Sequence, residues 1–146
     1  MAKVSFIGSG RMSAQHALAF ADIKGVSLSG VLSRSRERAE EFAVKFSIPN
    51  ICQSIEDLWN STHSDILVIS VPPSVLLSIA LEVVKYPWHC LFEKPLGLNL
   101  SEASLIVDSV KKYRSNSYIG LNRRHMSSTI NSLDSLSSID DARIVT

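Results

Sequence analysis

Val4-Ser5-Phe6-Ile7-Gly8-Ser9-Gly10-Arg11-Met12-Ser13 decides the fold. Four residues suited to a short buried strand stop abruptly at Gly8-Ser9-Gly10, and a helical pattern follows at once. In a dinucleotide-binding turn the first glycine permits the tight bend and the second lets the backbone approach a pyrophosphate. The third position must be small so that helix and strand pack closely. Gly8 and Gly10 fill the first two places and Ser13 the third, where serine still fits. The phosphates would then rest on the helix N-terminus, against the free N–H groups around Ser9, Arg11 and Met12. The string alone also suits an ordinary glycine-rich turn, so its weight depends on what surrounds it.

Strands alternate with helices throughout. A helix from Arg11 to Phe20 places Met12, Ala17, Leu18 and Phe20 on one side, and Val26 to Leu32 forms a second strand. Ala39, Phe42, Ala43 and Phe46 make the apolar stripe of the next helix. Ile51-Cys52 is a minimal strand, and Ser54 with Asp57 carries a helix-capping signature. Asp65 to Val71 is a strand whose unbroken Ile66-Leu67-Val68-Ile69 run marks cover on both faces, as in parallel sheets. A helix after Pro73 ends before Pro87, Trp88 to Phe92 is a strand, and Asn99 caps a helix turning Leu105, Ile106, Val110 and Tyr113 inward. Tyr118 to Leu121 is the last clear strand. The pattern predicts an α/β fold: a Rossmann-type, doubly wound, mainly parallel sheet with helices on both faces.

Residues 1–122 are expected to form this dinucleotide-binding domain. Residues 123–146 read as a connecting helix, carried by Ile130, Leu133 and Leu136, and as the start of a substrate domain at Ile144-Val145-Thr146.

The end of the second strand speaks to the cofactor. An NAD site usually offers a carboxylate there to the adenosine ribose. This chain offers Ser33-Arg34-Ser35-Arg36, with Arg38 one helical step on and no carboxylate before Glu37. A hydroxyl and guanidinium forks suit the 2′-phosphate of NADP, so Ser33, Arg34 and Arg38 are assigned to it. NAD stays the alternative, in which the arginines form a solvated face pairing with Glu37, Glu40 and Glu41.

Composition bounds the rest. The chain has 146 residues, 45% of them apolar and 20% charged, with a net charge of +1. That is globular composition, with no field demanding nucleic acid or an anionic membrane. The nearly uncharged stretch Ile66–Val84 has the length of a membrane span, but Pro72-Pro73 breaks it. The N-terminus shows no leader pattern, and the Asn60-Ser61-Thr62 sequon reads as a loop. Cys52 and Cys90 match no metal or redox spacing, which suits a reducing, cytoplasmic location. His16, His63, His89 and His125 show no ligand spacing, and no metal is assigned.

Taken in order, Gly8-Ser9-Gly10-Arg11-Met12, His16, Ser33-Arg34-Ser35, Val71-Pro72-Pro73, Glu93-Lys94-Pro95 and Gly120-Leu121-Asn122-Arg123-Arg124 resemble the Gfo/Idh/MocA oxidoreductases. The resemblance covers nearly the whole chain, and Glu93-Lys94-Pro95 is its most specific element. It implies that Lys94 lies beside the nicotinamide and touches the reacting oxygen of a sugar or polyol. It also implies a second domain supplying the substrate pocket, an interface between identical subunits in the full-length protein, and usually a histidine that works with the lysine. A family histidine often follows the Val71-Pro72-Pro73 position by three residues; here Leu76 stands near that place, against a polar role there.

The chemistry of the residues agrees. Lys94 ends a buried strand, where open α/β sheets bind ligands. A lysine in bulk water holds its proton too tightly to exchange it at neutral pH, and partial burial beside a cationic ring loosens it. It could then donate a hydrogen bond to a carbonyl, or help take an alcohol's proton. Glu93 would orient or balance the ammonium. Val71, Pro72 and Pro73 should line the same crevice against the cofactor, and Asn122 with Arg123 and Arg124 could meet the cofactor or an anionic substrate, or equally form a basic hinge contacting a second domain. The expected function is the cofactor-binding part of an NAD(P)-dependent oxidoreductase acting on a sugar-like or cyclic polyol substrate. The alternative is a non-catalytic dinucleotide-binding module.

Overall fold

A computed structural model describes residues 1–137. Six parallel strands form one sheet in the order β3-β2-β1-β4-β5-β6. They are β1 Ala2–Ile7, β2 Val26–Leu32, β3 Asn50–Cys52, β4 Ile66–Ile69, β5 His89–Phe92 and β6 Asn116–Ile119. Helices α1 Arg11–Ala21, α2 Arg36–Phe46, α3 Ile55–Thr62, α4 Pro73–Val83 and α5 Leu100–Tyr113 connect them, and α6 Ser127–Ser137 follows a 3₁₀ turn at Asn122–His125. The order reverses between β1 and β4, and such a switch point opens a crevice at the carboxyl ends of the strands. The expected Rossmann-type sheet is the observed one.

Two apolar layers hold it. Phe6, Val31, Ala39, Phe42 and Val68 belong to the layer under α1 and α2, and Leu67, Ile69, Leu76, Val83, Trp88 and Ile106 to the layer under α3, α4 and α5. Both faces of β4 are therefore covered, which is why its residues run apolar without alternation. Beneath the opposite end of the sheet lies a buried chain of hydroxyls. Trp88 Nε1 donates to Ser64 Oγ at 3.0 Å, and the Thr62 hydroxyl donates to the Leu58 carbonyl at 2.6 Å. The sequon is thus the last turn of α3 rather than a loop, with Thr62 buried.

Several local expectations are corrected. On α1 the buried residues are Ser13 and Ala17, whereas Leu18 is 50% exposed. The helix lies so close to the sheet that small residues take the contact. β4 coincides with the apolar run Ile66–Ile69 and is shorter than the expected strand from Asp65 to Val71, and β6 begins two residues earlier than Tyr118 because its register follows β5, with His89 opposite Asn116 and Phe92 opposite Ile119. As an edge strand β6 leaves Tyr118 and Ile119 exposed. Of the α5 residues expected inward, Ile106 is buried and Val110 packs beside it, but Leu105 and Tyr113 are 53% and 43% exposed. A helix over the sheet's edge has only a narrow face to bury. Ile130 and Leu133 of α6 are exposed, and Ile144-Val145-Thr146 lies outside the described residues.

Both cysteines are free and buried. Burial pushes the Cys52 thiol up to about 11, with Asp57 adding to the rise, and the Cys90 thiol up to about 12. Because the folded thiols hold their protons more tightly than unfolded ones, this contribution to stability is complete below about pH 9 and fades as pH climbs toward 11 to 12. A thiol-reactive dye at pH 8 is expected to find neither cysteine in the folded chain and both after unfolding in guanidinium. Rapid labelling of the folded chain would contradict the packing around them.

Candidate functional site: a crevice at the carboxyl ends of the strands

Each central strand hands its last hydrogen bond to the next connection. Gly8 N donates to Leu32 O at 2.8 Å, Ser70 N to Ile7 O at 2.9 Å, Glu93 N to Ile69 O at 2.9 Å and Gly120 N to Phe92 O at 2.8 Å. This pins the glycine turn, the Ser70-Val71-Pro72 turn and Glu93-Lys94-Pro95 along one sheet edge. Gly8 has φ +100°, and a Cβ there would overlap the Ser70 carbonyl oxygen, so only glycine fits between β1 and β4. Ser13, in the third small position, is fully buried close to that place.

A cavity of about 570 Å³ fills the switch point. Gly8, Ser9 and Gly10 form its floor on the α1 side, and Ser33, Arg34 and Arg38 one rim. Val71 and Pro72 face them, joined by Ser74, Val75 and Ile79 of α4. Eight residues assigned from sequence therefore meet in one place. Pro73 is the first residue of α4, and Arg11 lines a shallower neighbouring cleft of about 330 Å³ between α1 and α2 that also reaches Arg38. Met12 lies half-buried in the first turn of α1. Glu93, Lys94 and Asn122 do not line the large cavity; they stand at the ends of the neighbouring strands β5 and β6.

The helix ends differ in their caps. Helices α2, α3 and α5 begin with side-chain caps, Ser35, Ser54 and Asn99, each accepting from the backbone N–H three residues on. Helices α1 and α4, which open on the cavity, have no side-chain cap, and α1 has no acidic residue in its first turn. The first N–H groups of α1 thus remain available to an anion. A Cβ on Gly10 would meet nothing within 4 Å, so this approach is open. These features fit a dinucleotide with its pyrophosphate on α1.

At the β2 end, Ser33 Oγ lies 2.9 Å from Ser9 Oγ, linking that rim of the cavity to the glycine turn. The arginines divide: Arg36 Nε pairs with Glu40 Oε1 at 2.8 Å on the exposed face of α2, while Arg34 and Arg38 face the cavity. All three arginines are exposed, and of them Arg36 makes the glutamate pairing that the solvated-face alternative describes.

At the β5 end the geometry departs from expectation. Lys94 is exposed rather than partly buried. The Glu93 carboxylate does not balance its ammonium; Oε1 lies 2.7 Å from His16 Nε2, and Oε2 accepts the Lys94 backbone N–H at 3.2 Å. Leu76 is buried in the apolar core, in keeping with an apolar role. Among the described residues no group of three or more His, Cys, Asp or Glu could hold a metal ion, and no helix is long and apolar enough to cross a membrane.

Sequence reasoning missed Gln53, Ser74, Val75 and Ile79 as cavity residues. Gln53 could have been found from its place just after β3, and the α4 residues from following the Pro72-Pro73 turn. His16 gave no sign of its partner.

Comparison with known proteins places this geometry. A model of the Gfo/Idh/MocA oxidoreductase family, NAD-binding Rossmann fold, matches residues 2–120. Glucose-6-phosphate 3-dehydrogenase of Bacillus subtilis is 30% identical over 136 residues, covering 93% of this chain and 38% of that protein. The NADP(+)-dependent scyllo-inositol 2-dehydrogenase of the same organism is 28% identical over 111 residues, covering 76% of this chain and 34% of that one. The crystal structure of myo-inositol 2-dehydrogenase from Lactobacillus plantarum superposes with a TM-score of 0.86 at 20% identity, covering 99% of this chain and 43% of that chain. The chain therefore spans well under half the length of the relatives it matches.

Proposed function

The chain belongs to the Gfo/Idh/MocA family of oxidoreductases, and on that premise we propose that it is the cofactor-binding part of an NADP-dependent dehydrogenase acting on sugar-like or cyclic polyol substrates. Residues 1–122 form the cofactor domain and 123–146 the connection to a substrate domain. The observation that carries the reading is the uncapped α1 N-terminus opening on a cavity rimmed by Ser33, Arg34 and Arg38. The names of the two bacterial relatives, a sugar-phosphate dehydrogenase and an NADP(+)-dependent inositol dehydrogenase, support the substrate class and the cofactor.

When bound, the nicotinamide supplies or accepts a hydride. Around it the chain's own groups divide the labour. The α1 N–H groups hold the pyrophosphate, Ser33 with Arg34 and Arg38 holds the 2′-phosphate, and Val71, Pro72 and Val75 keep water from the cofactor's flank. Lys94 donates a hydrogen bond to the substrate's reacting oxygen and steadies the charge that develops there. Asn122 and Arg124, in the turn after β6, stand one strand away and can meet the substrate's polar groups.

An assay at 340 nm across inositols, hexoses and hexose phosphates tests this. The chain alone is expected to turn over slowly, since it spans well under half the length of the dehydrogenases it matches, and Lys94→Met to lower that rate by about 10²-fold or more with NADPH affinity held within about threefold. Full activity from these residues would overturn the part-enzyme reading. Cofactor binding without lysine-dependent turnover would select the non-catalytic module.

A further inference from the structure

His16 is the titratable group that the cofactor site leaves without a task. It stands in the second turn of α1, the helix whose N-terminus opens on the crevice. Its Nε2 lies 2.7 Å from Glu93 Oε1 across 77 residues of sequence, and the two side chains are only 20% and 12% exposed. A carboxylate only accepts hydrogen bonds, so Nε2 carries the proton and donates. The other carboxylate oxygen accepts the backbone N–H of Lys94 at 3.2 Å. Gly120 closes a third side: a Cβ there would come to 3.2 Å from Glu93 Oε1, so the end of β6 passes close against the carboxylate. The carboxylate is turned toward α1, and the main chain of Lys94 is bonded to its far oxygen.

We propose that His16 is a positioning residue: through Glu93 it latches the Lys94 turn to α1, so that the cofactor helix and the lysine hold a fixed relation. Only the purpose of the latch rests on the proposed dehydrogenase function; the latch is a property of this chain. The His16–Glu93 bond is largely shielded from water, where a hydrogen bond has little slack, and the bond from Glu93 to the Lys94 amide lies at the surface. Among the described residues the ring is the one link from α1 to Glu93, so losing the donor frees Glu93 to turn toward solvent and releases the Lys94 amide.

Two variants test the latch without altering bulk greatly. His16→Gln keeps an N–H donor at nearly the same reach, whereas His16→Met fills the space and donates nothing. Amide hydrogen exchange is read residue by residue in the whole chain, first without cofactor. The Lys94 amide is expected to exchange about tenfold faster or more in His16→Met and within about threefold of the unmodified rate in His16→Gln. The Leu67 and Val68 amides of β4 should hold their rates in both, separating a local release from global loosening. Unchanged Lys94 exchange in His16→Met, or equal acceleration in His16→Gln, would overturn the latch. A second arm adds NADPH, which should slow Lys94 exchange in the unmodified chain and not in His16→Met. If NADPH alters no amide in the unmodified chain, the cofactor reading fails while the first arm still decides the latch.

Discussion

Replacing Gly8 by valine is expected to abolish NADPH binding and to destabilise the fold by on the order of 3–5 kcal/mol. Two causes add. The residue sits at φ +100°, where a β-branched side chain is strained, and its Cβ would overlap the Ser70 carbonyl oxygen at the end of β4. The obstacle is backbone, so no side chain can swing aside. Relief requires β1 and β4 to part at the switch point, which is where the cavity forms. Gly10→Ala is the control with the opposite balance. Gly10 has φ −84°, and a Cβ there meets no protein atom within 4 Å. Stability should therefore change by less than about 1 kcal/mol, while NADPH affinity falls because the methyl group occupies the approach to the α1 N–H groups. Urea unfolding and fluorescence titration of both variants check this. A Gly8→Val chain as stable as the unmodified one would refute the close approach of the two strands.

The second large effect is on cofactor choice. Ser33→Asp is expected to raise the NADPH dissociation constant by about 100-fold or more and to improve NADH binding. The new carboxylate would stand near the Ser9 hydroxyl, now 2.9 Å from Ser33 Oγ, and in the space claimed by a 2′-phosphate. Like charges then repel, whereas a bare ribose finds the acceptor that NAD sites normally provide. Arg34→Ala should act on NADPH alone, by about tenfold to 100-fold, since it removes a charge-assisted bond that a ribose hydroxyl never made. Arg36→Ala should leave both cofactors unaffected, because that guanidinium is engaged with Glu40 on the exposed face of α2. Equal losses for NADH and NADPH in Arg34→Ala would remove the arginine from the phosphate site.

Local chemistry explains which features could be read from the sequence. The glycine turn is legible because a positive φ and a close approach demand glycine at fixed offsets, and β4 because a strand covered twice runs apolar. The caps at Ser54 and Asn99 are legible for the same reason, each being a bond between residues three apart. What escaped depends on distance or on edges. Neither Tyr118 nor Leu105 carries a mark saying that its element lies at the sheet's rim, where apolar residues stay exposed. The His16–Glu93 contact joins residues 77 apart, and no periodicity records it. Expecting Glu93 to orient or balance the Lys94 ammonium followed their adjacency in sequence, whereas the carboxylate has its side-chain donor, His16, on α1.

In the proposed arrangement the crevice holds a nicotinamide dinucleotide with its 2′-phosphate against Ser33, Arg34 and Arg38. Titrating the unmodified chain with NADPH and NADH at one fixed, near-physiological ionic strength tests it most directly. NADPH is expected to bind at least about tenfold more tightly; tighter binding of NADH, or binding of neither, would contradict the account.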